Sequence, residues 1–148
     1  MLPLVSRSEP LAQQPKLLAN ADTGTVMVIE DDFLVRMGLE AMLEGWGYAV
    51  LGAGSVEEAI RLLEHGPAPD AIVTDYRLQA GTTGLDVIRA VHACLGGAIP
   101  ATIVTGDTTP ERLAEANRGG FRLLHKPVAP ADLRQAMAGM LRESRRVG

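Results

Sequence analysis

The sequence is poor in aromatic residues and in cysteine. Only 3% of its 148 residues are aromatic, while 47% are hydrophobic, so the core has to be built from aliphatic side chains and methionine. The single cysteine, Cys94, excludes an internal disulfide and a metal site made of several cysteines. It lies in a helical pattern beside Val91 and Leu95, which predicts a small core residue rather than a reactive thiol.

The sequence also lacks a long apolar run and an excess of positive charge. No apolar stretch approaches the roughly 18 residues of a membrane-spanning helix, and the N-terminus has no signal-peptide pattern. The net charge of −4 argues against a broad basic surface for nucleic acid or anionic lipid. We therefore expect a cytoplasmic protein that binds no nucleic acid directly and no membrane.

Short runs rich in Val and Ile alternate with stretches of helical periodicity from Thr25 onward. This alternation predicts an α/β fold in which five strand-helix units surround a parallel sheet. Residues 1–24 contain scattered prolines and no sustained period, so we expect a flexible tail or linker there and one domain over 25–146. The predicted strands are Thr25–Glu30, Tyr48–Leu51, Asp70–Asp75, Ile99–Thr105 and Phe121–His125.

The periodic stretches predict the helices that follow these strands. Ser55 and Glu58 have the spacing of a capping box, which predicts the start of a second helix over Val56–His65. Apolar residues at helical spacing predict a third helix that ends near Leu95, and Pro110 begins a fourth. The first helix is expected to bury one stripe, made of Leu34, Met37 or Gly38, Leu39, Met42, Leu43 and Trp46.

Polar residues terminate the predicted strands. Ligands of an open parallel sheet bind beyond the carboxyl ends of the strands, so these terminal residues are the candidates for function. The first strand runs into Glu30, Asp31 and Asp32, the third ends at Asp75, the fourth at Thr105, and the fifth runs into Lys126 and Pro127.

Several carboxylates at one sheet edge favour a hard divalent cation. Two like charges about 4 Å apart repel by about 4 kcal/mol at an intermediate dielectric, so the cluster needs a cation or a proton. Mg²⁺, or Mn²⁺ in its place, suits Asp31 and Asp75 because it takes carboxylate, water and phosphate oxygens. With the metal and Lys126 neutralising charge, Asp75 can accept a phosphoryl group, and Thr105 offers a hydroxyl donor to it. Asp32 is expected to cap the first helix or to stay solvated.

The strand-end residues occur in the order and spacing of a known family. From about Val26 to Leu141 the chain resembles the receiver domain of two-component response regulators. The resemblance implies a doubly wound, flavodoxin-like (βα)5 fold with strand order 2-1-3-4-5. Each segment that carries it is weak alone and specific in combination: Val28–Asp32, Thr74–Leu78, Ile103–Asp107 and His125–Val128.

The resemblance also implies roles and partners. The phosphoryl group comes from a histidine kinase or a histidine phosphotransfer protein, and the domain catalyses only its own phosphorylation and dephosphorylation. A downstream partner is expected on the face formed by the fourth helix, fifth strand and fifth helix. The residues correspond as follows: Glu30 and Asp31 to the acidic pair, Asp75 to the phosphoacceptor, the Arg77 backbone carbonyl to a metal ligand, Thr105 to the hydroxyl, Lys126 to the phosphate-contacting lysine, and Pro127 to a cis Lys-Pro bond.

Three features depart from the family pattern or modify it. Leu123 stands where receivers usually carry an aromatic switch residue. The turn after the acceptor is longer and has Gln79 in place of proline, which is similar to receivers attached to hybrid sensor histidine kinases. Arg77 and Asp107 lie two residues beyond the acceptor and the hydroxyl, and their opposite charges on the path of an attacking water predict slow autodephosphorylation.

Two other functions use a similar set of residues. A hydrolase of the haloacid dehalogenase type also combines Asp, Lys, Thr and Mg²⁺, but it carries D-x-D at its first strand, where this chain has Glu30–Asp32. A degenerate receiver that serves only as a scaffold would not need the complete set. The sequence leaves open whether the chain is a stand-alone regulator, a phosphorelay intermediate or a segment of a hybrid kinase.

Overall fold

The computed structural model describes residues 24–106 and 110–147. The predicted tail over residues 1–24 therefore lies, apart from Gly24, outside the described residues, and so does Asp107. In the described ranges the chain alternates strands and helices, with one short 3₁₀ turn at Gln79–Gly81. This order is the one that the alternating sequence pattern predicts.

The strands form one parallel sheet. They are β1 Thr25–Ile29, β2 Ala49–Ala53, β3 Ala71–Asp75, β4 Ala101–Thr105 and β5 Arg122–His125. Their spatial order is β2-β1-β3-β4-β5, and every neighbouring pair is parallel. The doubly wound order 2-1-3-4-5 is thereby confirmed. β3 and β4 are buried along their whole length, as expected for central strands covered on both faces.

Helices cover both faces of the sheet. They are α1 Phe33–Gly45, α2 Val56–His65, α3 Gly84–Leu95, α4 Pro110–Gly119 and α5 Pro130–Val147. α1 and α5 pack on one face, where Leu43 and Met137 are fully buried, and α2 and α3 pack on the other, where Ala59 and Val91 are fully buried. Burying a side chain the size of Leu43 contributes about 1.5–3 kcal/mol. None of the helices in the described part of the chain has the length and apolar character needed to cross a bilayer.

Helix α1 buries a narrower stripe than the periodicity predicts. Leu39 and Leu43 lie in the core, whereas Leu34 is 76% exposed and Met37 is 47% exposed. The prediction that these two residues are buried is wrong. Periodicity shows which residues share a helix face, but not how much of that face a neighbouring element covers.

Two further local predictions are corrected by the structure. Cys94 is exposed on α3, not buried. The buried stripe of α3 ends at Val91, and Cys94 lies beyond it. At the start of α2, the Ser55 hydroxyl accepts from the Glu58 N–H at 3.2 Å, but the Glu58 carboxylate accepts from the Gly54 N–H at 2.7 Å. The capping box predicted there is therefore only half formed.

Strand β2 extends beyond its predicted end. Its ladder with β1 continues to the pair Ile29 and Ala53 and includes Gly52. Glycine weakens a strand and is more often a turn residue, which is why the sequence suggests an earlier end. β4 begins at Ala101 and β5 at Arg122, slightly later than predicted.

Candidate functional site

The carboxyl edge of the sheet brings the predicted strand-end residues together. β3 lies between β1 and β4, and Asp75 is paired with Val104, one residue before Thr105. Glu30 is 1% exposed, Asp75 9% and Thr105 2%. Three polar side chains are thus withdrawn from solvent at one edge, which is costly unless they are paired or bind a ligand.

Three carboxylates form a potential cation site. Glu30, Asp31 and Asp75 each offer one oxygen, and these oxygens lie within 4.8 Å of one another. Mg²⁺ binds oxygens at about 2.0–2.1 Å in an octahedron and usually keeps several waters. The donor set and its spacing therefore fit a hydrated Mg²⁺ ion after small side-chain movements.

Asp32 does not belong to this cluster. Its Oδ1 accepts hydrogen bonds from the N–H groups of Leu34 at 3.0 Å and Val35 at 3.2 Å. Asp32 is therefore the N-cap of α1, one of the two roles predicted for it.

Lys126 reaches the carboxylates from the end of β5. Its Nζ lies 3.1 Å from Glu30 Oε1 and 3.1 Å from Asp75 Oδ2. Its main-chain N–H donates to the carbonyl of Thr105 at 2.9 Å, which fixes the β5 end beside β4. The Lys126–Pro127 peptide bond is cis. The ammonium thus occupies a position between two of the three carboxylates.

The ionisation of these groups is perturbed. Burial raises the pKa of Glu30 from 4.5 to about 7, and the negative charge of Asp75 raises it further. The hydrogen bond from the Asp32 N–H and the contact with Lys126 lower this pKa, but they do not offset burial. Burial opposes the charge on Lys126, but the hydrogen bonds from its ammonium to Glu30 and Asp75, together with their charges, outweigh burial and raise its pKa. The lysine is a cation at neutral pH, as a phosphate-contacting residue has to be.

Of the other predicted site residues, the structure describes Arg77 and Leu123. Arg77 is exposed and forms an isolated antiparallel bridge with Thr83; the role of its carbonyl as a metal ligand stays a prediction. Its predicted pairing with Asp107 involves a residue outside the described ranges. Leu123 is partly buried and packs against the core on the α2 and α3 face.

Sequence reasoning missed two residues that contact this edge. Arg36 Nη1 donates to the main-chain carbonyl of Glu30 at 2.8 Å. The hydroxyl of Tyr76 donates to Glu115 Oε1 at 2.8 Å and so links the residue after Asp75 to α4. The available signals were a lone arginine in an apolar helix stretch and one of only two tyrosines in the chain.

The family model described as "Response regulator receiver domain" matches residues 26–138. The chain belongs to this family. It is 31% identical over 133 residues to the phyllosphere-induced regulator PhyR of Methylorubrum extorquens and 32% identical over 120 residues to the response regulator MprA of Mycobacterium sp. (strain KMS). These alignments cover 87% and 80% of this chain but 48% and 51% of the relatives. The receiver domain described here therefore spans about half the length of these curated relatives.

Solved structures of receiver domains share the fold. A response regulator receiver domain protein from Clostridium thermocellum superposes with a TM-score of 0.73 at 25% identity, covering 84% of this chain and 98% of that one. The response regulator PhyR from Brucella abortus gives a TM-score of 0.72 at 28% identity, covering 84% of this chain and 50% of that one.

Membership in this family settles the general function. The chain is a receiver domain of two-component signalling, a family of signalling proteins rather than metabolic enzymes. Receiver domains bind Mg²⁺ at an acidic pocket and interact with histidine kinases or phosphotransfer proteins. The match argues against the hydrolase alternative, in which the nucleophile follows the first strand rather than the third.

Proposed function

We propose that Asp75 accepts a phosphoryl group from a phosphohistidine donor in a Mg²⁺-dependent reaction. The observation that carries this proposal is the 3.1 Å contact of Lys126 Nζ with Asp75 Oδ2, at a cluster of three carboxylates. A carboxylate is a weak nucleophile, and it becomes competent when cations neutralise the charge on the incoming phosphoryl oxygens.

The transfer is an in-line displacement. An Asp75 carboxylate oxygen attacks phosphorus, the new P–O bond forms, and the P–N bond breaks with its electron pair returning to the imidazole nitrogen. Asp31 and Asp75 would hold the metal directly, with Glu30 and the Arg77 carbonyl completing the set. Bound Mg²⁺ supplies charge neutralisation on the phosphoryl oxygens. The Lys126 ammonium and the Thr105 hydroxyl donate hydrogen bonds to those oxygens.

The donor is a histidine kinase or a histidine phosphotransfer protein, and we expect it to approach across the start of α1. Phe33 is 60% exposed and Leu34 is 76% exposed there. A groove of about 460 Å³ runs from Leu34 to Lys126 and Pro127. An apolar helix face that carries the donor histidine would bury this surface while its imidazole reaches Asp75.

The downstream partner is proposed to bind the α4-β5-α5 face. A groove of about 750 Å³ lies there and includes Leu123 and Phe121. Leu123 carries no ring, so the rotation of an aromatic side chain on β5 does not report phosphorylation in this chain. Movement of Thr105 toward the phosphoryl group is the proposed first step of the readout.

The lifetime of the phosphoryl group is proposed to depend on Arg77 and Asp107. Their opposite charges at two edge positions would hinder an attacking water. The phosphoryl lifetime should fall in Arg77→Asn and in Asp107→Ala, as followed by loss of phosphate over time. An unchanged lifetime in both variants would refute this role.

Incubation with a small phosphodonor and Mg²⁺, followed by intact mass measurement, tests the proposed function. Wild type should gain one phosphoryl group, and Asp75→Asn should gain none. A gain in both proteins would remove Asp75 from its role, and no gain in either would favour the scaffold alternative. We expect the reaction in the cytoplasm, where ATP phosphorylates histidine kinases. The same chemistry serves a stand-alone regulator, a relay intermediate or a segment of a hybrid kinase.

A further inference from the structure

Arg36 brackets the turn that carries Asp31. Its Nη1 donates to the carbonyl of Glu30 at 2.8 Å, and its main-chain N–H donates to the carbonyl of Asp32 at 2.9 Å. The peptide unit that precedes Asp31 and the one that follows Asp32 are therefore both anchored on the same residue of α1. A charged donor to a carbonyl is among the stronger hydrogen bonds in a protein, so this anchor resists rotation of the turn.

Two glycines, Gly52 and Gly54, leave room for the side chains of Arg36 and Glu40. A Cβ at Gly54 would come within 3.0 Å of Arg36 Nη1, and a Cβ at Gly52 would overlap the Glu40 carboxylate and lie 3.7 Å from Arg36 Cδ. Gly52 lies on β2 and Gly54 follows directly after its end, and the space beside both glycines borders Arg36. The side chains of α1 fill the gap that these glycines leave.

Other contacts restrain the guanidinium in this position. Arg36 Nε lies 3.6 Å from Glu40 Oε2, and the arginine side chain is only 17% exposed. The Phe33 ring centroid lies 5.5 Å from Arg36 Cζ, within the range of a cation–π contact. The guanidinium is thus held by a carboxylate, a ring and a carbonyl, although none of these contacts involves the phosphoacceptor itself.

We propose that Arg36 is a positioning residue for the metal site, acting through the backbone before Asp31 and after Asp32. This inference rests on the proposed function, because it takes the acidic cluster as the Mg²⁺ site. Groups that orient metal ligands without touching the metal typically contribute about 10- to 100-fold to affinity. Without the anchor, the turn samples other orientations, and ordering Asp31 when the metal binds then costs conformational entropy.

Titration of the metal-free protein with Mg²⁺ by calorimetry tests this role. Arg36→Met keeps the aliphatic stem and removes the donor, and it should weaken Mg²⁺ binding about tenfold. Gly54→Ala adds a methyl group against the guanidinium and should likewise weaken Mg²⁺ binding. Arg61→Met makes the same chemical change at an exposed position of α2 and should leave the affinity unchanged.

A second readout separates positioning from a merely structural role. In the phosphorylation reaction, Arg36→Met should raise the Mg²⁺ concentration for half-maximal rate about tenfold while the rate at saturating Mg²⁺ stays close to that of wild type. A lower maximal rate with unchanged Mg²⁺ dependence would overturn the inference. Unfolding by urea, measured alongside, shows that each variant is folded at the temperature of the titration.

The outcomes distinguish this inference from the proposed function. If Asp31→Asn loses Mg²⁺ affinity while Arg36→Met keeps it, Arg36 has no positioning role and the metal site stands. If wild type binds no Mg²⁺, both fail. Should Arg36→Met not fold, Glu40→Gln decides, because it releases the guanidinium and should weaken Mg²⁺ binding; an unchanged affinity would overturn the inference.

Discussion

The ammonium of Lys126 lies 3.1 Å from the carboxylate of Glu30, a side chain that is 2% exposed. The same ammonium also contacts Asp75. One cation is therefore paired with two carboxylates that are both poorly accessible to water. A metal ion that binds these carboxylates has to share them with Lys126. Charge balance at this edge therefore links stability, metal binding and pH.

Lys126→Met removes the cation from this arrangement. Without metal, the variant should lose about 2 kcal/mol of unfolding free energy, because two withdrawn carboxylates lose a charged donor. Mg²⁺ should bind several-fold more tightly, since it no longer competes with the ammonium. Urea unfolding with and without Mg²⁺ measures both effects, and Arg142→Met on the exposed side of α5 serves as the control. Equal stability of Lys126→Met and the control would contradict the contact.

Glu30 should make stability depend on pH. Its pKa of about 7 in the folded protein lies above the ordinary 4.5, so the folded form binds the proton more tightly. The free energy of unfolding should then fall as pH rises through this window, by at most about 3 kcal/mol. Glu30→Gln should flatten the curve measured by urea unfolding without metal, and Glu64→Gln on the surface of α2 should not. A wild-type curve as flat as that of Glu30→Gln would refute this role.

Tyr76→Phe breaks the hydrogen bond between Tyr76 and Glu115. The variant should lose about 1 kcal/mol of unfolding free energy, and amide exchange in α4 should accelerate because the helix loses a link to the sheet. Hydrogen exchange read by mass spectrometry measures the second effect. Glu111→Gln, a change at an exposed position of the same helix, should leave the exchange unchanged. Equal exchange in both variants would show that the bond does not hold α4.

Adjacent aspartates should differ in their contribution to metal binding. Asp31→Asn should weaken Mg²⁺ binding by roughly tenfold or more, because it removes a charged ligand. Asp32→Asn should change the affinity by less than about twofold, since asparagine keeps the N-cap of α1. Calorimetry on both variants makes the comparison, and equal losses would mean that the acidic cluster is assigned wrongly.

The parallel sheet and its carboxyl edge were predictable because they follow from local patterns, whereas the strand order was implied by the family resemblance. Apolar runs such as the one that ends at Asp75 mark the strands, and parallel strands necessarily bring their carboxyl ends to one edge. For the same reason the sequence placed Glu30 and Lys126 near Asp75, although it did not show that one ammonium contacts both carboxylates.

The remaining features depend on contacts between elements that are distant in sequence. The exposure of Leu34 and of Cys94 depends on what packs beside each helix, which periodicity does not encode. The proximity of Gly54 to the Arg36 guanidinium becomes visible only when α1 lies on β2. Side-chain contacts of this kind need the assembled fold.

Chemical trapping of the acyl phosphate shows whether Asp75 is the residue that accepts the phosphoryl group. Wild type is treated with a small phosphodonor and Mg²⁺ and then with borohydride, which reduces an aspartyl phosphate to homoserine, and the modified residue is located by tandem mass spectrometry. We expect homoserine at position 75 and nowhere else, and none when Mg²⁺ is withheld. Homoserine at another aspartate, or none at all after treatment with phosphodonor and Mg²⁺, would contradict the claim that Asp75 accepts the phosphoryl group.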